Sequence, residues 1–242
     1  TLDLVPNTNY NGATPAKDNK LHYDVLKDPT ARLTAQQDGT TLAMEMVPAD
    51  SVEQLKGAGC TVDAVQGFGV RFAMFNLGKA PWDNVKVRQA CLYALDTDKM
   101  LANAFSGQAE VATSYLPSSF ANYHKASTVY AHDVDKAKKL ISESGITPGD
   151  VVLRTTDNEQ VKSMATQVKN DLDALGFNVS IVSDTSPATY AAIDAVDGSW
   201  DILLAPGDPS CFGADVDLLL NWWYGDNVWM TKRCPWKESA EW

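Results

Sequence analysis

The chain has 242 residues, with 20 Lys+Arg against 31 Asp+Glu for a formal net charge of −11, and 45% of it is hydrophobic against 21% charged. That composition belongs to a globular protein and excludes long disordered or collagen-like stretches. No apolar run approaches the roughly 18–20 residues that span a bilayer, and an acidic balance without a basic cluster repels phosphate backbones, so nucleic acid is set aside as a partner.

In chain order, residues 1–46 read as strand Leu2 to Val5, an Asn/Gly-rich turn, strand Leu21 to Leu26, and a helix from Pro29 to Gln37. Asp28-Pro29 is a start signal, an N-cap acceptor followed by a proline whose missing N–H costs nothing in the first turn, and Gly39 is the stop. A short helix follows Pro48-Ala49-Asp50 and runs to Gly57. Strands are expected near Thr61 to Val65 and from Val70 to Asn76. Helices are expected at Val85 to Leu95, Thr97 to Phe105 and Asp133 to Ser144, with an irregular loop from Thr113 to Thr128 between the last two.

From Asp150 the pattern is strand Val151 to Arg154, helix Glu159 to Leu175, strand Asn178 to Val182, helix Pro187 to Val196, strand Asp201 to Leu204. That is a β-α-β-α-β unit. Its first helix carries Val161, Met164, Val168, Leu172 and Leu175 on one stripe, which reads as packing against a sheet rather than as a cofactor box. Parallel strands joined by helices gather their functional loops at the strands' carboxyl ends. Three such loops are expected: Thr155 to Asn158, Ser183 to Ser186, and Ala205 to Asp208. In the first two, Asp157 and Asp184 or Ser186 are read as helix caps. In the third, Gly207-Asp208-Pro209 leads into no immediate helix, so Asp208 either serves the turn itself or presents a carboxylate at a crevice edge, as recognition of an ammonium group requires.

No G-x-S-x-G elbow, HExxH, P-loop or G-x-G-x-x-G occurs, and no enzyme activity is expected. His22, His124 and His132 read as surface residues, and the cysteines show no CxxC pair, so no metal site and no cofactor are expected. Cys91 lies mid-helix among apolar neighbours and reads as a buried small hydrophobe. Cys211 and Cys234 flank a Trp-rich stretch that a disulfide would tie down in an exported protein. Asn178-Val179-Ser180 matches a glycosylation acceptor, but it is expected on an inner strand. The chain opens on Thr1 and closes on Trp242 just after Lys237 to Glu241, which reads as the first turn of an unfinished helix, so both ends are expected to be cuts in a longer chain.

A dispersed set of motifs carries a resemblance. It comprises Asp28-Pro29-Thr30-Ala31-Arg32-Leu33, Val47-Pro48-Ala49-Asp50, Phe75-Asn76, Ala80-Pro81-Trp82-Asp83, Val87-Arg88-Gln89-Ala90, Tyr93-Ala94-Leu95-Asp96, Leu116-Pro117, and the junction Leu172 to Val179. Together these resemble the family 5 solute-binding proteins of bacterial ABC importers, which include oligopeptide, dipeptide and nickel receptors. The resemblance implies an α/β, periplasmic-binding-protein-like fold of type II, with two lobes. By it, residues 1–66 are the end portion of the first lobe, and residues 67–242 are most of the second, incomplete at its C-terminus.

The resemblance also implies an extracellular or periplasmic receptor, lipid-anchored in its full-length form and monomeric. It would capture a short peptide or other small solute between its lobes and deliver it to membrane permease subunits. Asp208 falls where peptide-binding members pair an aspartate with the ligand's α-ammonium in a Gly-Trp-x-x-Asp pattern; here Leu204-Ala205 stand in place of Gly-Trp. Ala205, Pro206, Gly207 and Asp208 are therefore the candidate ligand-binding residues, the backbone of Pro206 to Asp208 pairing with an extended peptide. Cys211 and Cys234 resemble the paired cysteines of dipeptide receptors. Phe75, Asn76 and Trp82 lie near the expected crossover between lobes and read as core. The alternatives are a nickel or metal-chelate receptor of the same family, the ligand-sensing domain of a transcriptional regulator, and a hydrolase on the same fold.

Overall fold

The chain divides into two units, Thr1–Ala64 and Val65–Trp242, and the computed structural model describes residues 1–195, 198–207, 215–217, 220 and 226–235. In the first unit, β1 (Leu2–Leu4) and β2 (Leu21–Tyr23) pair antiparallel, Leu2 opposite Tyr23 and Leu4 opposite Leu21. The two-residue period of a strand puts those four apolar side chains on one face and Asp3 and His22 on the other. Helix α1 (Pro29–Gln37) starts as its caps dictate, with Asp28 Oδ1 accepting the Ala31 N–H at 2.8 Å. Helix α2 (Val52–Gly57) follows a 3₁₀ turn at Ala49–Ser51 and buries Leu55. The strand expected at Thr61 to Val65 is absent: these residues have no ladder partner, and Val65 is 90% exposed. Alternating polarity does not hold a strand without a neighbour to bond.

The second unit is built on a four-stranded sheet. Its strands are β3 (Val70–Phe75), β4 (Asp150–Thr156), β5 (Asn178–Asp184) and β6 (Ile202–Gly207), in the order β3-β6-β4-β5. Strands β5, β4 and β6 run parallel, and β3 is antiparallel to β6. Helix α3 (Val85–Ala94), α4 (Thr97–Phe105), α5 (Val134–Ser144) and α6 (Glu159–Asp173) join the larger core, with Val161, Ala165, Val168 and Leu172 of α6 packed over Val151, Leu153, Ile202 and Leu204. The opposite face carries Leu203, Ala205 and Met74, covered by Ile193 of α7 (Ser186–Asp194) and by Trp229, which opens a π-helical turn at Trp229–Arg233. Strand alternation thus feeds two cores, and helices cover both faces.

Three expectations about this unit are corrected. Strand β5 is an edge strand, not an inner one, and Asn178 is exposed with its amide donating to Asp150 Oδ1 at 2.7 Å. The strands β4, β5 and β6 run on through residues read as loops. Thr155 and Thr156 pair with Ser183 and Asp184, while Ala205 to Gly207 pair with Phe72 to Val70. A strand ends where its partner ends, and those partners lie far away in sequence. The caps also differ: Asn158, not Asp157, caps α6 by accepting the Val161 N–H at 3.1 Å, and Thr185 occupies the cap position of α7 while Asp184 bonds elsewhere.

Candidate functional site

The order β3-β6-β4-β5 places a topological switch between β4 and β6. From β4 the chain goes through α6 to β5 on one side, then through α7 back across to β6 on the other. Helices departing to opposite faces leave a crevice outside the carboxyl ends of those two strands. Here the crevice is also open within the sheet. The β4–β6 ladder runs only from Leu153 opposite Ile202 to Thr155 opposite Leu204, yet β6 continues for Ala205, Pro206 and Gly207, paired on the β3 side alone. Among the described residues the β4-facing edge of that segment has no strand beside it. A Cβ at Gly207 would sit 3.3 Å from both the Phe72 ring and the Val70 side chain, a tight fit that those side chains would have to ease.

Polar side chains converge on the same end. Arg154 of β4 donates from Nη1 to Asp184 Oδ2 at 3.0 Å. Arg71 at the start of β3 donates from Nε to Gln160 Oε1 at 3.2 Å and bonds it again through Nη2, tying β3 to the first turn of α6. Thr189 of α7, fully buried, donates its hydroxyl to the Thr155 carbonyl at 3.1 Å. Arg154 Nε, Thr155 Oγ1 and Thr156 Oγ1 are buried with no hydrogen-bond partner. Among the described residues of this unit, those three consecutive positions hold every such atom. Leaving a buried donor or acceptor unpaired costs about 1–3 kcal/mol, so folded chains rarely cluster them without a use.

The opposite end of the sheet is fully matched. Asp201, just before β6, accepts from the Trp82 indole at 2.8 Å, Lys79 Nζ at 2.9 Å and the Val152 N–H at 2.8 Å. Asn76 donates to the Trp200 carbonyl at 3.1 Å. Trp82 is stacked between Phe75 and Phe177, at centroid separations of 5.4 and 5.7 Å. Phe75, Asn76 and Trp82 are therefore core residues, as the sequence leads one to expect. A depression of about 210 Å³ lies nearby, lined by Lys79, Lys232 and Arg233 among others. Two of its cations are already paired, Lys79 with Asp201 and Arg233 with Asp194.

Of the residues expected to bind ligand, Ala205 is buried toward α7, and Pro206 and Gly207 are half-buried at the crevice. Asp208 lies outside the described residues, and so does Cys211. Cys234 carries a free thiol in this structure, directed at the Phe75 carbonyl at 3.6 Å. Among the described residues no group of three His, Cys, Asp or Glu side chains is gathered as metal ligands. Sequence reading placed Thr155 and Thr156 in an expected functional loop without giving either a role, and it passed over Arg154 and Arg71. The signal available for Arg154 was a charge at the end of an apolar strand, Val151-Val152-Leu153, destined for burial on both faces.

Comparison with known proteins agrees with this architecture. A model of the bacterial extracellular solute-binding proteins, family 5 middle, matches residues 1–230. Heme-binding protein A of Haemophilus influenzae is 30% identical over 202 residues, covering 80% of this chain and 35% of that protein. The dipeptide-binding protein of Escherichia coli is 26% identical, covering 72% and 34%, and its nickel-binding periplasmic protein is 27% identical, covering 86% and 44%. The chain thus spans between a third and a half of these relatives. Among solved structures, the periplasmic binding protein DppA of Helicobacter pylori in complex with the peptide STSA superposes with a TM-score of 0.78 at 23% identity, covering 90% of this chain and 42% of that one. The likeness extends to the fold.

Proposed function

The chain belongs to family 5 of the bacterial extracellular solute-binding proteins, and on that premise we propose that it is part of an importer's receptor that captures a short peptide at the switch-point crevice. The observation that carries the proposal is the strand-less edge of Ala205–Gly207, where β4 and β6 part. Such an edge offers main-chain groups to an extended ligand by strand addition. Asp208, the next residue, would hold the peptide's ammonium group as an acceptor-only anion. The named relatives are binding proteins rather than enzymes, and the role proposed here is capture and release.

The rest of the reading follows from family membership. Residues 1–66 would belong to the end of a first lobe and residues 67–242 to the second, with the ligand bridging both and so selecting the closed state. The receptor would work outside the cytoplasmic membrane as a lipid-anchored monomer and hand its solute to permease subunits. No helix among the described residues is long and apolar enough to cross a membrane. The test is native mass spectrometry of the full-length protein challenged with a di- to tetrapeptide library, with nickel and with heme. Peptide capture, weakened about ten-fold or more by Asp208→Asn, is expected. Capture of nickel or heme with no peptide retained would overturn the peptide assignment.

A further inference from the structure

Strand β5 closes the order β3-β6-β4-β5, so among the described residues one of its edges has no strand beside it. Successive residues of a strand turn their main-chain groups to opposite edges. The Asn178 N–H donates to the Gly149 carbonyl, on the β4 side, at 3.0 Å. The groups that face outward are therefore those of Val179, Ile181 and Ser183. An open edge is a template for another strand, and a second copy of the same chain is always at hand to supply one. Antiparallel pairing of two β5 edges about a twofold axis at Ile181 sets Val179 of each copy opposite Ser183 of the other, with Ile181 opposite itself.

Both outward groups of Val179 are already taken, and by side chains rather than by a strand. Its N–H donates to Asp173 Oδ1 at 2.9 Å, and its carbonyl accepts from Lys169 Nζ at 2.7 Å. Lys169 also holds Asp173 Oδ2 at 2.7 Å, one turn along α6, so the two side chains form a single bridge over the edge. As an ion pair alone it adds little, since each side chain is 35% exposed. We infer that Lys169 and Asp173 are an edge guard that bars β5 of a second copy and so keeps the protein from associating through its sheet. Val179 enters two of the three residue pairs of the twofold arrangement. With it withdrawn only Ile181 opposite Ile181 is left, far short of the about 5–6 residues of an ordinary strand. Ile181, 38% exposed, stands at the axis.

The experiment is sedimentation velocity of the full-length protein over a range of concentrations, with circular dichroism to establish that each variant is folded. The wild type is expected to sediment as a single chain. Lys169→Met, which frees the Val179 carbonyl, is expected to raise the self-association constant several-fold, and Lys169→Met/Asp173→Ala, which frees the N–H as well, about ten-fold or more. Adding Ile181→Lys to either variant is expected to restore the single chain, because the twofold axis then sets like charges face to face. A double variant that sediments as the wild type does at every concentration overturns the guard. A dimer that survives Ile181→Lys also overturns it, since the contact then lies elsewhere. So does a wild type that already dimerises and loses the dimer on Ile181→Lys. Should the double variant not fold, Lys169→Met with and without Ile181→Lys decides alone.

Discussion

Asp201 accepts the indole N–H of Trp82 at 2.8 Å across more than a hundred residues of chain, and both side chains are almost wholly buried. The same carboxylate receives Lys79 at 2.9 Å and the Val152 N–H at 2.8 Å. It therefore joins the segment after β3, the middle of β4 and the start of β6 at one point, and it holds the end of the sheet away from the crevice rigid.

Replacing Asp201 by Ala should destabilise the protein by about 3 kcal/mol or more, because the indole N–H and a backbone N–H are left buried without acceptors and Lys79 loses its counter-charge. Trp82→Phe should cost less through hydrogen bonding, since Asp201 keeps its other donors, though it also loses packing between Phe75 and Phe177. Urea unfolding of the single variants and of the double variant would measure both, and strict additivity would count against a shared network.

Burial pushes the Cys91 thiol up from 9.0 to about 12. Between those values the unfolded chain gives up a proton that the folded chain keeps. Stability from this group is therefore complete below about pH 9 and falls as pH rises, by about 1.4 kcal/mol per unit. Unfolding free energies should be nearly level from pH 7 to 8 and should approach that slope between pH 10 and 11, and Cys91→Ala should remove one proton's worth of it. The Cys91 thiol should also resist alkylation at pH 8 in the folded protein.

Arg233 grips Asp194 through Nε at 2.7 Å and Nη2 at 3.1 Å while lying over the rings of Trp229 and Tyr190, at 4.4 and 4.8 Å. Hydrogen bonding from Arg233 holds the Asp194 carboxyl below its usual 3.8. The stabilisation is present above that value and is lost as pH falls through the lower folded value. Arg233→Lys, which gives up the two-pronged bond and the flat stacking surface, should cost about 1 kcal/mol or more at pH 7. The difference from wild type should shrink in unfolding measurements near pH 3.

Asp173 closes the junction between α6 and β5, accepting the Val179 N–H at 2.9 Å while Lys169 bonds both Asp173 and the Val179 carbonyl at 2.7 Å. Gly176 makes the intervening turn at φ +95°. Gly176→Ala should cost about 1 kcal/mol or more from the strained backbone, and Asp173→Ala about 1 kcal/mol from the orphaned N–H. Accelerated amide exchange at Val179 in Asp173→Ala would mark the released edge; unchanged protection there would show that the bond contributes nothing to the closure.

The residues alone determined a good deal here. The limits of α1 follow from its caps, the stripe of α6 from its period, and the burial of Cys91 from its apolar neighbours within the helix, because each rests on residues a few positions apart. The dispersed motifs also sufficed for the family. Only the tertiary structure decided where β4 and β6 stop pairing, that β5 lies at an edge, and that Arg154, Thr155 and Thr156 are buried without partners. Each of those facts depends on which distant segment lies alongside: Gly207 is in its strand because Val70 faces it, and Arg154 is left with an unmatched N–H because nothing packed around it from elsewhere in the described chain offers an acceptor. Local periodicity carries no record of that neighbour, so the strand ends, where the candidate crevice opens, were the part of the molecule least legible from the sequence.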